Sequence, residues 1–343
     1  MSAPRVAQIE RLLADRGLAM ARQPLAPEAH LVVSARGGRV FGPFVAGADP
    51  IGWCPAPQAL AAAFATGDWN IGGERVWLAP EAAFNFTDAA RIVETYRVDP
   101  ALDPGTWRLQ RDGATLHLTL RADIALVGGG RAGVEIRRSL TPRPARALAG
   151  GVREFGYGQR IAVRQLSGPP LPLVPWLIRQ VSPVGTAFLD ARSDARGETV
   201  FGAPPEAAIA AADGWWRVPF QGPGFMKTVY RRASLRDGRI GLMAEGPTNA
   251  ALLYRPVLAD GERYPEYLPG ASRSAGLCAA LFYDDGRFGA YGEIELYGHR
   301  DDSAGLGVLD VDVSCLAGPA DALRAETCPA AADLRTSAPR GLP

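Results

Sequence analysis

Two carboxylates near the end of the chain have the spacing of a candidate acid/base pair. Glu293 and Glu295 lie in the mostly apolar run of residues 291–299, and residues two apart share one face of a strand. Two neighbouring carboxylates repel, which can raise the pKa of one and let it transfer a proton near neutral pH. The alternative is that both face solvent or pair with arginines, and spacing alone favours that alternative.

A second group of chemically useful side chains lies in residues 72–81, GGERVWLAPE. Alternation with period two places Arg75 and Trp77 on one face of a predicted strand, and Glu81 follows closely. A guanidinium can donate to sugar hydroxyls while an indole covers the apolar side of the sugar ring. The alternative, slightly favoured by chemistry alone, is a buried ion pair of Arg75 with Glu74 or Glu81 beside a core tryptophan.

Any imidazole chemistry must use one of three histidines, His30, His117 and His299. His117 alternates with leucines and is predicted to face solvent. His299 precedes an Arg-Asp-Asp run, residues 300–302, which indicates a polar turn more than a metal site.

Metal and cofactor signatures are missing from the sequence. The four cysteines, at positions 54, 278, 315 and 328, are irregularly spaced and form no CxxC pair, which predicts buried reduced thiols. There is no GxxxxGK[ST], GxSxG or HExxH motif, and the Gly triplet 128–130 precedes a predicted strand where a dinucleotide site needs a helix. We therefore predict no cofactor and no metal.

Charge and hydropathy limit the partners and the location. Lys and Arg number 37 against 36 Asp and Glu, so no net field favours nucleic acid or a membrane surface. The first twenty residues mix charged and apolar positions, unlike a signal peptide, and no long uncharged apolar segment follows. We expect a cytoplasmic protein without nucleic-acid or membrane partners.

The elements that must position these side chains are mostly strands. Asp-Gly turns at residues 111–114, 236–239 and 284–287, and a Gly pair at 37–38, each separate two β-rich runs, which predicts antiparallel meanders. Long helical crossovers are missing, which disfavours a parallel α/β sheet. Further strands are predicted at residues 75–78, 107–110, 114–125, 134–140, 161–166, 176–181, 226–234, 240–244, 277–283 and 288–296.

The predicted organisation is one domain, residues 1–328, with a loose C-terminal tail at 329–343. Apolar spacing predicts helices at about residues 4–16 and at 57–66, and a short one at 205–212. The fold class is thus mainly β, an antiparallel sandwich with a few short helices.

The order of four segments resembles the galactose mutarotase-like (aldose 1-epimerase-like) superfamily. They are residues 72–81, residues 176–181 (WLIRQV), Lys227 within FMKTV, and residues 292–296 (GEIEL). The resemblance spans about residues 30 to 320 and implies an antiparallel β-supersandwich with a sugar site on its concave face.

The resemblance also implies roles. In such proteins an early-strand arginine holds the sugar, a histidine is the general acid, and a late-strand glutamate is the base that opens and recloses the ring at the anomeric carbon. Arg75 matches the first role and Glu295, or its neighbour Glu293, resembles the third. The histidine role is unfilled, and Lys227 or a tyrosine is a candidate acid.

Two functions follow as hypotheses. The first is a carbohydrate-binding protein that acts as an aldose 1-epimerase-like isomerase, and the second is a non-catalytic sugar-binding or scaffolding module; the sequence does not decide whether it is an enzyme. The expected ligand is a small-molecule sugar or sugar derivative, bound by a monomer or homodimer. The predicted catalytic residues are Glu295 and Glu293, and the predicted substrate-binding residues are Arg75, Trp77, Glu81, Trp176, Lys227 and His299.

Overall fold

The computed structural model describes residues 6–46, 51–86, 88–192, 197–202, 214–220, 223–244, 249–267 and 275–328. The helix predicted at 205–212 and the tail predicted at 329–343 lie outside the described residues.

Strands dominate the described chain, as predicted. In order they are β1 (Met20–Ala26), β2 (Ala29–Ser34), β3 (Arg39–Val45), β4 (Glu74–Ala79), β5 (Arg108–Asp112), β6 (Thr115–Ala125), β7 (Arg131–Ala147), β8 (Arg153–Ser167), β9 (Val174–Val181), β10 (Gly185–Asp190), β11 (Glu198–Phe201), β12 (Trp215–Phe220), β13 (Phe225–Arg231), β14 (Ile240–Ala244), β15 (Ala250–Pro256), β16 (Leu277–Asp284), β17 (Tyr291–Tyr297), β18 (His299–Asp301) and β19 (Leu306–Ala317).

Within the described residues the strands form two sheets. The first has nine strands in the order β1-β2-β3-β4-β9-β17-β16-β13-β11, and the second has ten, in the order β12-β10-β14-β15-β19-β8-β7-β6-β5 with β18 beside β19. The strand pairs at the centre of both sheets are antiparallel. The predicted fold class, a mainly β antiparallel sandwich, is confirmed.

The helices are short. They are α1 (Val6–Ala14), α2 (Pro57–Thr66), α3 (Glu81–Phe84), α4 (Ile92–Thr95) and α5 (Ala320–Thr327). The prediction of a helix at 57–66 is confirmed: Pro57 stands in the first turn, where its missing N–H costs nothing, and Gly67 ends the helix with a φ of 76°. None of the helices in the described part of the chain is long and apolar enough to cross a membrane.

Two of the three predicted Asp-Gly hairpins are confirmed and one is wrong. The turns after β5 and β16 each join paired neighbours. The turn at residues 236–239 instead carries the chain from β13 in the first sheet to β14 in the second. Its amides donate to the buried Asp190 carboxylate, from Asp237 at 2.8 Å and Gly238 at 3.0 Å. The turn residues were recognised correctly, but the strand that follows the turn, β14, pairs with β10 and not with β13.

The core lies between the sheets. Val76, Leu177 and Ile294 from the first sheet share one buried apolar cluster with Ile136 and Val313 from the second. Because side chains alternate along a strand, the neighbours of these first-sheet residues point to the opposite face. The candidate site lies on that outer face.

Candidate functional site

Strand register brings the predicted residues to one face of the first sheet. β4, β9, β17, β16 and β13 are neighbours in that order, and directly paired residues share a face. The rows across these strands are Arg75–Ile178–Glu295, Trp77–Trp176–Tyr297 and Gln180–Glu293–Phe282–Lys227.

A small pocket opens over these rows. Its volume is about 30 Å³, room for roughly two water molecules. It is lined by the charged residues Arg75, Glu81, Lys227, Glu293 and Glu295, the rings of Trp69, Tyr96, Trp176, Phe201, Phe282, Phe288 and Tyr291, and Ile92.

Lys227 lies between two carboxylates. Its Nζ is 2.7 Å from Glu81 Oε2 and 3.0 Å from Glu295 Oε2, and 4.6 Å from the centre of the Trp176 ring. All three charged residues are buried, Glu295 to 1 % exposure. Burial alone lowers the pKa of Lys227, but the two carboxylates outweigh it and raise that pKa above its ordinary value. The lysine is therefore a fixed cation here.

Glu295 is held by three donors on one oxygen. Trp176 Nε1 donates to Oε2 at 2.8 Å, Tyr297 donates its hydroxyl at 3.1 Å, and Lys227 lies at 3.0 Å. Converging donors of this kind fix a carboxylate in one orientation at the pocket.

Two other carboxyls hold protons near neutral pH. Burial raises the pKa of Glu81 to about 7, with Lys227 opposing and Glu295 adding to the rise. Burial also raises the pKa of Glu266 to about 8, with Glu81 adding to it, and Glu266 Oε2 accepts the Glu81 backbone N–H at 2.8 Å. Sequence reasoning missed Glu266, because it lies outside the strands with no alternating pattern around it.

Arg75 pairs with Glu293, as in the alternative that the late carboxylates pair with arginines, and not with Glu74 or Glu81. Its Nη2 lies 2.7 Å from Glu293 Oε1. Burial raises the pKa of Glu293, with Arg75 opposing the rise. Glu74 points to the inner face and pairs with Arg138 of the second sheet. The expected Arg75 ion pair with Glu74 or Glu81 is therefore wrong.

Two indoles contact the Arg75 guanidinium. Its Cζ lies 4.3 Å from the centre of the Trp77 ring and 5.1 Å from that of Trp69. Within the described residues its Nε and Nη1 have no hydrogen-bond acceptor. These two N–H groups are therefore buried donors without a partner in the described chain.

Trp77 lies beneath the site and is not among the residues that line the pocket. Its Nε1 donates to Asp103 Oδ2 at 3.0 Å, and Arg39 Nη2 lies 2.6 Å from the same oxygen. Asp103 therefore fixes the indole that supports Arg75. No sequence signal marked Asp103, which lies in an irregular turn at residues 101–105.

His299 lies outside the pocket, on the strand β18. After Gly298 the chain leaves the first sheet, and β18 pairs with β19 in the second. The imidazole is 5.7 Å from the Tyr264 ring and is not among the residues lining the pocket, nor are His30 and His117. The pocket thus gathers six of the eight predicted site residues, leaving out His299 and Trp77.

Three rings from connections, not strands, cover the pocket: Trp69, Tyr96 and Phe288, here called the aromatic cover. The Tyr96 ring centre is 6.4 Å from that of Trp69 and 6.4 Å from that of Phe288. Sequence reasoning did not find them, because only long-range packing joins these segments. In the described part of the chain, no group of three or more His, Cys, Asp or Glu side chains is arranged to hold a metal ion.

No family model matches this chain, and no curated protein matches it. Among solved structures, the chain is similar to a putative mutarotase from Salmonella typhimurium, at 10% identity and a TM-score of 0.41, over 90% of this chain and 100% of that one. It is also similar to galactose 1-epimerase from Lactobacillus acidophilus, at 9% identity and a TM-score of 0.42, over 88% of this chain and 95% of that one. TM-scores this low do not indicate what this chain binds.

Proposed function

We propose that the pocket binds a neutral aldose and interconverts its anomers, with Glu295 as general base and Glu81 as general acid. The observation that supports this most is the placement of both carboxylates on one ammonium group, at 2.7 and 3.0 Å from Lys227 Nζ. The two groups thus lie close together. The reaction needs this, because the hydroxyl oxygen O1 and the ring oxygen O5 are bonded to the same carbon.

The chemistry balances with these two groups alone. Glu295 takes the O1 proton, the C1–O5 bond breaks as the C1=O1 carbonyl forms, and Glu81 gives its proton to O5. Rotation about C1–C2 presents the other face of the carbonyl, and the same two transfers in reverse close the ring. A pKa of about 7 for Glu81 keeps much of it protonated at neutral pH. Lys227 stabilises the Glu81 anion formed midway.

Sugar recognition is assigned to Arg75 and the rings. The Nε and Nη1 groups of Arg75, without acceptors in the described residues, can donate to sugar hydroxyls. Trp69 and Trp176 can cover the apolar C–H side of the sugar ring. A hexose is larger than the present cavity of about 30 Å³, so binding requires the aromatic cover to move.

The test is anomer exchange measured by proton NMR with common neutral aldoses. We expect the protein to accelerate exchange for at least one aldose and Glu295→Gln to abolish the acceleration. The matched control is Glu154→Gln, which alters a buried, ion-paired carboxylate on β8 of the second sheet. Equal loss in both variants would contradict a catalytic role for Glu295.

Non-catalytic sugar binding is the second candidate. It is favoured by the ion pairs that already engage Glu81, Glu293 and Glu295, and by the absence of a histidine from the described lining of the pocket. Calorimetric binding of an aldose without any change in its anomer exchange would select this function.

A further inference from the structure

A second cavity adjoins the pocket. This outer cavity, about 750 Å³, lies between α2, residues 52–56 and the β16–β17 connection. Phe288 lines both the outer cavity and the pocket. Among the described residues, Phe288 is therefore shared by the two linings.

Hydrogen bonds hold the backbone of Phe288 in place. The Asp284 carboxylate accepts the N–H groups of Phe288 at 2.5 Å and Gly289 at 3.0 Å. Asn70 Nδ2 donates to the Phe288 carbonyl at 2.6 Å, and Gln180 in turn holds Asn70 at 2.8 Å. With the backbone held, the side chain is the part of Phe288 that can move without unfolding the connection.

The lining of the outer cavity suits a neutral polyhydroxyl group. Trp53 offers an indole whose ring centre is 4.6 Å from that of Tyr291, and Asn70 and Ser182 offer hydrogen-bonding groups. Among the described residues that line it, Asp68 is the one charged side chain, and no Lys or Arg is present. A phosphate there would meet a carboxylate and no cation, which is unfavourable.

The position of the outer cavity fixes the end of the sugar that reaches it. Tyr291, Glu293 and Glu295 follow one another on the same face of β17, and Trp53 of the outer cavity packs on Tyr291. The outer cavity thus adjoins the Arg75–Glu293 side of the pocket, away from the Glu81 and Glu295 pair that would act on C1.

We propose that the substrate is a neutral reducing oligosaccharide, with its reducing unit in the pocket and the next unit in the outer cavity. This inference rests on the proposed function. The second unit would be linked through a hydroxyl oxygen other than O1, such as O4 or O6, because the anomeric oxygen must stay free for ring opening.

The test compares monosaccharides with disaccharides in two variants of one helix. Ala62 is exposed on α2 and lines the outer cavity, and Ala65 is exposed on α2 but does not line it. Anomer exchange is measured for glucose, galactose, maltose and melibiose. We expect a higher kcat/KM for a disaccharide than for its reducing monosaccharide, a ratio that Ala62→Phe lowers about tenfold and Ala65→Phe leaves unchanged.

The outcomes distinguish a failure of the oligosaccharide inference from a failure of the proposed function. Exchange of monosaccharides with no preference for disaccharides, or a preference for hexose phosphates, would overturn the oligosaccharide inference and leave the proposed function standing. If no sugar exchanges faster, the proposed function fails. Calorimetry with maltose then tests whether the outer cavity binds a sugar unit. Weaker binding of maltose to Ala62→Phe than to Ala65→Phe supports that binding site, and no binding or equal binding overturns it.

Discussion

Arg75 on β4 and Glu293 on β17 form a buried ion pair at 2.7 Å although 218 positions separate them in the chain. A second pair, Lys227 with Glu295 at 3.0 Å, lies beside it. Lys227 is shared with Glu81, so two cations, Arg75 and Lys227, face four buried carboxyls, those of Glu81, Glu266, Glu293 and Glu295. Burial raises the pKa of Glu81 to about 7 and that of Glu266 to about 8, and a neighbouring carboxyl adds to each rise.

Replacing Lys227 with Met should destabilise the fold by about 3–5 kcal/mol, because Glu81 and Glu295 would remain buried without a cation. Urea unfolding at neutral pH measures this. The control is Arg160→Met, which removes an exposed arginine paired with Asp310 and should cost no more than about 1 kcal/mol. Similar losses in the two variants would mean that Lys227 contributes no special stabilisation.

Glu266 should make the stability depend on pH. Its pKa is raised from 4.5 to about 8 in the folded chain, so the folded state binds this proton more tightly than the unfolded state. Its contribution is fully present below the unfolded pKa and is lost as the pH rises through the folded pKa. Between about pH 5 and about pH 9, wild type should lose roughly 2–4 kcal/mol relative to Glu266→Gln. Parallel urea midpoints across this range would argue against a raised pKa.

The rate of anomer exchange should fall as the pH rises above about 7. Glu81 must be protonated to act as the acid, and burial places its pKa at about 7. Glu81→Gln should reduce the rate by about 10²–10⁴ and remove this limb of the profile. NMR exchange rates across the pH range, with Glu154→Gln as the control, provide the measurement. An unchanged limb in Glu81→Gln would assign the acid to another group.

Arg75→Lys should weaken sugar binding more than it slows chemistry. The lysine keeps the charge beside Glu293 but loses the guanidinium contacts with the Trp69 and Trp77 rings and the two N–H groups offered to the ligand. We expect KM to rise about tenfold with a smaller change in kcat. Arg121→Lys, at an exposed ion pair on β6, is the control. A loss confined to kcat would place Arg75 in the chemical step.

Local sequence patterns predicted the same-face placement of several site residues, although each motif by itself was only weakly specific. The same-face placement of Arg75 and Trp77, and of Glu293 and Glu295, is what the structure has, because both depend only on alternation along a strand. His299 lies outside the pocket, and no local sequence pattern indicates this. The chain changes sheets after Gly298, and only the pairing of β18 with β19 shows this.

By itself, then, the sequence determined a mainly β antiparallel chain, the helix at 57–66 and the strands that bear Arg75, Lys227 and Glu295, because period-two alternation and turn residues act over a few positions. Only the tertiary structure decided that Lys227 lies between Glu81 and Glu295, that Glu293 meets Arg75, and that Glu266, Asp103 and the aromatic cover belong to the site. The physical reason is that ion pairing and burial depend on which distant strands become neighbours, and the same burial sets the pKa of each carboxyl.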